Sequence, residues 1–141
     1  MNAKTKNKAE GPIRLSRIPR GVERSHGLSL SGDLFVYVDD STLSSLAQNR
    51  PSSYLKTLEE ASSVITHPDF SSFSAKEEKF VFCRMYFDQG DLVPLLVWVA
   101  HEGKPKKWRL HGIKTGARAQ VRLLDEMKLV RPIWKNKTIE A

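Results

Sequence analysis

Hydrophobic and polar residues follow a strand-like order at some points of this chain and a helix-like order at others. Residues 34–38 (LFVYV) are aromatic and β-branched, which predicts a strand. A short helix is predicted from an N-cap at Asp40 or Ser41 to the residues before Pro51. A second helix follows, because apolar residues recur every three or four positions on one of its faces. Those residues are Leu55, Leu58, Ala61, Val64 and Ile65.

Three strands and a last helix are predicted after the dipeptide His67-Pro68, which ends the second helix. The strands cover residues 79–87, 92–100 and 107–113, with a glycine-containing turn between each pair. Residues 117–129 have the pattern of an amphipathic helix. The order β-α-α-β-β-β-α predicts an α+β domain in which helices pack on a mostly antiparallel sheet.

Charge divides the chain into three blocks. Residues 1–31 contain seven Lys and Arg against two Glu, a net charge of +5. Residues 32–103 have a net charge of −6, and residues 104–141 one of +8. Two cationic ends are typical of a protein that binds a polyanion, most often nucleic acid. We expect a basic, extended or disordered arm over residues 1–32, one domain over 33–130 and a basic tail over 131–141.

The third of the three strands carries the strongest candidate chemistry. Lys107, Arg109 and His111 alternate, so their side chains are expected on one sheet face. Ile113 is predicted on that face too, and Trp108, Leu110 and Gly112 on the other. Histidine transfers protons near neutral pH, and cations stabilise charge on a scissile phosphate. The alternative is a solvated face that only binds phosphate.

Other cationic and aromatic residues extend this candidate surface. Arg84 and Tyr86 alternate in the first of the three strands and could lie on the same face as Arg109 and His111. The alternative is that Tyr86 caps the edge of the core and Arg84 pairs with an acidic residue from the middle of the chain. Basic residues around Trp134 are typical of single-strand binding, and the alternative is that Trp134 folds back to fill a gap in the core. The residues predicted to contact nucleic acid are Lys107, Lys114, Arg118, Tyr86, Arg14, Arg17, Arg20, Arg24, Trp134 and Lys135.

Several protein classes lack their sequence signatures here. The chain contains no G-x-x-x-x-G-K-[ST] or G-x-G-x-x-G phosphate loop and no G-x-S-x-G hydrolase motif. Cys83 is the one cysteine, and the four histidines lack metal-ligand spacing, so we expect no metal and no cofactor. The longest apolar run, residues 92–100, is too short to span a bilayer. We therefore expect no membrane partner and a cytoplasmic location.

The residues from Phe35 to Lys114 resemble the phage-associated barnase–EndoU–colicin–RelE-like nuclease superfamily. The resemblance depends on the helix over residues 54–66, the corner Thr66-His67-Pro68-Asp69 and the three strands that follow. It implies a four-stranded antiparallel sheet and metal-independent cleavage of RNA. It further implies sheet-face residues Arg84, Arg109 and His111, with Thr115 as a polar auxiliary.

Three functions are consistent with this sequence. The leading hypothesis is a small metal-independent ribonuclease, such as a toxin or phage effector. In it His111 is the general acid or base, and Arg109 and Arg84 stabilise the phosphorane. The second is a non-catalytic phage or ribosome-associated protein that binds nucleic acid, with RNA the expected type, through contacts of its basic arm and tail with phosphates. The third is an inhibitor that binds a host enzyme through its acidic central block.

Overall fold

The computed structural model describes residues 13–49, 52, 54–115 and 129–133, which form one mixed sheet of six strands with three helices. In chain order the elements are β1 (Ile13–Arg17), α1 (Arg20–Ser25), β2 (Phe35–Val38), α2 (Asp40–Asn49), α3 (Tyr54–Thr66), β3 (Phe70–Ser74), β4 (Lys79–Asp88), β5 (Asp91–Glu102) and β6 (Lys107–Thr115). The strand order is β1-β2-β6-β5-β4-β3. Neighbours are antiparallel except β2 and β6, which run parallel. The predicted α+β class and mostly antiparallel sheet are confirmed.

Strands β4 and β5 form the hairpin that the sequence predicts. They pair from one end to the other, and the cross-strand pair Asp88↔Asp91 closes the turn. Gly90 in that turn has a φ of 85°, a conformation that favours glycine. Pro94 is typical of an irregular or edge position, and it precedes the first β5–β6 pair, Leu95↔Thr115. Its missing N–H therefore leaves the β5–β6 ladder intact.

Residues from Ile13 onward belong to the folded domain, which corrects the prediction of an extended arm ending near Asp33. β1 pairs antiparallel with β2, and the side chains of Ile18 and Val22 are fully buried. β1 is an edge strand that buries apolar groups on one side only, so its two arginines, Arg14 and Arg17, point outward. These arginines obscure the strand pattern in the sequence. Residues 1–12, and all but the last residue of the predicted helix 117–129, lie outside the described residues.

β3 is the strand that the sequence pattern misses. Its sequence, FSSFS, contains three serines and no β-branched residue. It lies at the edge of the sheet and pairs with β4 along its whole length. Phe73 packs against Phe80 of β4, with 4.7 Å between ring centroids. Pairing with a long neighbour, rather than its own propensity, therefore stabilises this strand.

The core lies between one side of the sheet and helices α1 and α3. Ala61, Val64 and Ile65 of α3 are fully buried, as their spacing predicts, whereas Leu55 in the first turn is 63% exposed. The sheet contributes Val36, Val38, Phe80, Phe82, Leu95, Val97, Val99, Trp108 and Leu110. This is the core side of the sheet, and the opposite one is its outer side. None of the described helices is long and apolar enough to cross a membrane.

The thiol of Cys83 is fully buried on the outer side, in register with Leu96. Burial raises the pKa of this thiol to about 11, and the nearby Asp69 carboxylate adds to the shift. The thiolate is the reactive form of cysteine, so we expect Cys83 to be inert while the protein is folded. Its reactivity is therefore a convenient measure of unfolding.

Residues 129–133 lie along the sheet edge instead of forming a separate tail. Val130 and Ser71 exchange two backbone hydrogen bonds of 2.8 Å. The N–H of Ile133 donates to the carbonyl of Gly21 in α1 at 3.0 Å. The predicted boundary at residue 131 therefore falls inside a junction between α1, β3 and this segment.

His26 at this junction predicts a pH-dependent stability. Its Nε2 lies 2.9 Å from the Ser71 hydroxyl, and its ring packs against Phe73 and Phe80. Burial lowers the pKa of His26 below 6.5, although the Ser71 backbone opposes part of the shift. Below about pH 6.5 the unfolded chain then binds more protons than the folded one, so stability falls as pH falls.

The variant His26→Gln removes the contribution of the His26 imidazole to the pH dependence of folding stability. We expect the variant to lose less stability than the wild type between about pH 7.5 and 5.5, with a difference of at most about 1.4 kcal/mol per pH unit. Urea unfolding at each pH measures the difference, and the other histidines cancel in the comparison. Equal losses in the two proteins would contradict the assignment.

Candidate nucleic-acid interface

The register of the central strands separates two of the predicted catalytic residues. Arg84 pairs with Leu95, a core residue, whereas Arg109 pairs with Ala100, five positions further along β5. Side chains alternate along a strand, so Arg84 lies on the core side and Arg109 on the outer side. The prediction that Arg84 and Tyr86 share a face with Arg109 is wrong. The register between neighbouring strands decides whether Arg84 and Arg109 share a side, and the residue pattern within one strand does not contain this information.

A β-bulge in β6 also changes the predicted alternation. His111 is the extra residue, since the flanking pairs are Leu110↔Val99 and Gly112↔Trp98. One additional residue exchanges the two sides of a strand beyond the bulge. Ile113 therefore packs against the core, and Gly112 is on the outer side with Trp98. The predicted sides of Ile113 and Gly112 are wrong, whereas Trp108 and Leu110 lie on the side opposite Arg109 as predicted, and both are buried there.

Strands β1, β2 and β6 bring the two cationic blocks of the chain together on the outer side. β2 lies between β1, which belongs to the N-terminal block, and β6, which belongs to the C-terminal block. Arg14 and Arg17 of β1 are exposed and lie in register with Tyr37 and Phe35. This surface is here termed the basic face and consists of Arg14, Arg17, Phe35, Tyr37, Lys107 and Arg109.

Each aromatic ring of the basic face has a cation over it. The guanidinium carbon of Arg14 is 4.6 Å from the centroid of the Phe35 ring. The Nζ atom of Lys107 is 4.3 Å from the centroid of the Tyr37 ring. Cation–π contacts of this length order both partners. The exposed guanidinium of Arg14 is also a flat surface on which a nucleobase can stack.

A carboxylate at the rim partly neutralises this surface. The hydroxyl of Tyr37 donates to Oδ2 of Asp33 at 2.5 Å, and the N–H of Phe35 donates to Oδ1 at 2.9 Å. These bonds lower the pKa of Asp33, and the first of them raises the pKa of the Tyr37 phenol. Asp33 is therefore ionised at neutral pH, at a distance of 3.8 Å from the Lys107 ammonium.

Arg109 is held by the fold rather than presented to a ligand. Nη1 donates to Asp39 at 2.6 Å, Nε to the carbonyl of Glu102 at 2.9 Å and Nη2 to the carbonyl of Pro105 at 2.7 Å. Only 13% of its side chain is exposed. Gly103 has a φ of 93°, and a Cβ there would lie 2.7 Å from Nε of Arg109. We assign Arg109 to joining the end of β2 to the β5–β6 turn.

His111 is hydrogen-bonded to Glu102 at the edge of the basic face. Its Nε2 lies 2.5 Å from Oε2 of Glu102, and both side chains are partly exposed. A carboxylate on one ring nitrogen orients an imidazole whose other nitrogen can exchange a proton. Among the described residues, no three His, Cys, Asp or Glu side chains are grouped as metal ligands.

The remaining predicted contacts lie elsewhere. Lys114 is exposed on the outer side of β6, beyond the bulge. Arg20 and Arg24 belong to α1, which packs on the core side, and Arg24 donates to the carbonyl of Ile133 at 2.7 Å. Arg84 donates to the Ser63 hydroxyl on α3 at 3.0 Å. The predicted residues Arg118, Trp134 and Lys135 lie outside the part of the chain that the structure describes.

Sequence reasoning missed the aromatic part of this interface. Phe35 and Tyr37 alternate with Val36 and Val38, so one strand presents aromatic rings on one side and aliphatic groups on the other. That alternation is the signal for a strand with two differently used sides. It does not indicate which cations lie over the rings, because these come from β1 and β6.

Comparison with protein-family models, curated proteins and solved structures finds no match to this chain. The resemblance to nucleases therefore stays a prediction. Strands β3 to β6 do form four neighbouring antiparallel strands, the outline that the resemblance implies. An outline alone does not identify a function, because one fold supports many activities.

Replacing Arg109 by lysine tests its structural role. Lysine keeps the charge but lacks the planar fork that reaches three acceptors, so we expect Arg109→Lys to lose about 2 kcal/mol of stability. Arg14→Lys is the matched control, since Arg14 is exposed, and we expect a change within about 0.5 kcal/mol. Urea unfolding measures both. Unchanged stability in Arg109→Lys would contradict the assignment.

Proposed function

We propose that this protein binds single-stranded RNA on the basic face. The observation that carries the proposal is the strand order β1-β2-β6, which assembles cations from both ends of the chain around two aromatic rings. Cations that follow the phosphates, combined with flat groups that stack on bases, are what single-strand binding requires. A single catalytic centre of Arg84, Arg109 and His111 lacks geometric support, since Arg84 lies on the core side.

Each part of the basic face has a distinct role in this proposal. The exposed guanidinium of Arg14 stacks on a base while it stays over the Phe35 ring. Arg17 at the sheet edge and Lys107 across β2 attract phosphates on either side of that base. Arg109 takes no phosphate, because each of its three guanidinium nitrogens already donates within the fold and only 13% of its side chain is exposed.

Carboxylates at the rim favour RNA over DNA. Asp33 and Glu102 lie next to the cations of the basic face and accept hydrogen bonds. A carboxylate repels phosphate but accepts a hydrogen bond from a 2′-hydroxyl, which only RNA offers. We therefore expect a ribose oligonucleotide to bind more tightly than the deoxyribose oligonucleotide of the same sequence.

Removing the exposed cations of β1 tests the binding surface. Each phosphate neutralised on a single strand contributes about 0.7 to the slope of log affinity against log salt. We expect the double variant Arg14→Gln/Arg17→Gln to bind more weakly and to reduce the slope by about 0.7, because Arg17 contacts a phosphate whereas Arg14 stacks on a base. Fluorescence anisotropy of a labelled 20-nucleotide RNA over a salt series measures both quantities.

The matched control removes two charges elsewhere. Lys56 on α3 and Lys76 in the β3–β4 turn are exposed. In Lys56→Gln/Lys76→Gln we expect nearly the wild-type slope, although the net charge changes by the same amount. Equal weakening in the two double variants would mean diffuse attraction, and the basic face would then not be the site.

RNA cleavage is the second candidate function, and the His111–Glu102 pair favours it. In this reaction His111 accepts the proton of a 2′-hydroxyl as that oxygen bonds to phosphorus. The bond from phosphorus to the 5′-oxygen breaks, and this oxygen takes a proton from solvent. The products are a 2′,3′-cyclic phosphate and a 5′-hydroxyl.

Incubating RNA with the protein in EDTA, followed by a denaturing gel, tests cleavage. If His111 is the general base, His111→Ala is expected to cleave about 10²- to 10⁴-fold more slowly than wild type. His67→Ala is the control, since His67 is exposed at the end of α3. Wild-type binding without any cleavage would reject this second candidate and leave the binding function in place.

A further inference from the structure

The β-bulge at His111 lies between two cavities on the sheet. One cavity, of about 410 Å³, lies between α2 and β6 and has Ser41, Thr42 and Leu110 in its wall. The other, of about 210 Å³, has Lys79 and Trp98 in its wall. His111 and Gly112 line both cavities. The larger cavity is within the usual size range of small-ligand pockets, about 300–1,000 Å³.

The smaller cavity has the groups that hold a nucleobase. Trp98 is partly exposed, and its cross-strand partner Gly112 has no side chain to cover the indole. A Cβ added to Gly112 would meet nothing within 4 Å, so the space above it is open. Lys79 lines the same cavity with 41% of its side chain exposed. An aromatic platform beside a cation suits a base with its phosphate.

The larger cavity has the groups that hold a ribose and phosphate. Ser41 and Thr42 contribute hydroxyls in the first turn of α2, and the imidazole of His111 stands between the two cavities. Hydroxyl and imidazole groups form hydrogen bonds with both a 2′-hydroxyl and a phosphate oxygen. An RNA backbone that runs from one cavity to the other therefore passes directly over Gly112.

We propose that the bulge forms a nucleotide subsite of the bound RNA. One base stacks on Trp98, its phosphate approaches Lys79, and the backbone crosses Gly112 beside His111 towards Ser41 and Thr42. The subsite rests on the proposed function, because it continues the basic face. Arg109 is in register with Ala100, and Ala100 with Lys79, so the face and the subsite share one row across the sheet.

Filling the open space above Gly112 tests the subsite in the full-length protein. Gly112→Leu blocks the crossing, whereas Gly112→Ala adds only one methyl group and is the matched control. Trp98→Leu removes the stacking platform, and Trp98→Phe preserves it. We expect the two leucine variants to bind labelled hexa-adenylate RNA about 10-fold more weakly than wild type, since a stacked base contributes roughly that factor. We expect the Ala and Phe variants to bind within about twofold of wild type.

The outcomes separate the subsite from the basic face. All four variants are first checked by urea unfolding and by the reactivity of Cys83. If the leucine variants fold and bind as wild type while Arg14→Gln/Arg17→Gln loses affinity, the basic face stands and the subsite is overturned. If the wild-type protein binds neither hexa-adenylate nor RNA of greater length, both proposals fail. RNA is expected to quench the indole fluorescence of the wild-type protein. If Trp98→Phe keeps its affinity but loses this quenching, the result supports stacking of a base on Trp98.

Discussion

The parallel pairing of β2 with β6 is the contact on which the rest of this structure depends. It consists of two residue pairs, Val36↔Trp108 and Tyr37↔Arg109, and it joins the N-terminal half of the chain to the antiparallel strands β3 to β6. So short a ladder contributes little by itself. Burial of Trp108 in the core and the ion pair between Arg109 and Asp39 at 2.6 Å secure it from both sides of the sheet.

This pairing also explains why the charge blocks of the sequence meet in space. Parallel strands need a long connection, and here the connection, residues 39–106, contains nearly all of the acidic middle of the chain. The cationic segments on either side of it are therefore brought together across β2. Their mutual repulsion is offset by carboxylates from the neighbouring strands and turns, namely Asp33, Asp39 and Glu102. The cations left exposed at the sheet edge, Arg14 and Arg17, are the ones with capacity for a polyanion.

Local patterns were sufficient for the elements with strong periodicity and insufficient for how those elements combine. The hairpin of β4 and β5 and the buried stripe of α3 follow from hydrophobic spacing and a glycine turn. The strand β1 was missed because three of its five residues are basic or polar and it lies at the edge of the sheet. The candidate site was predicted less well, since the side on which Arg84 lies depends on register with β5, and that of Ile113 on a bulge. Both are non-local properties of paired strands.

If RNA binds as proposed, the same non-local contacts limit how it can lie on the basic face. A base that stacked directly on Phe35 would have to displace the Arg14 guanidinium and lose its cation–π contact. A base that stacks on the outer plane of Arg14 keeps this contact and adds a second one, so it binds without that loss. The Lys107 ammonium over Tyr37 offers no such plane and, in the proposed complex, would interact with phosphate instead. The arrangement therefore favours one stacked base at β1 and β2, with the next position for stacking at Trp98 of β5.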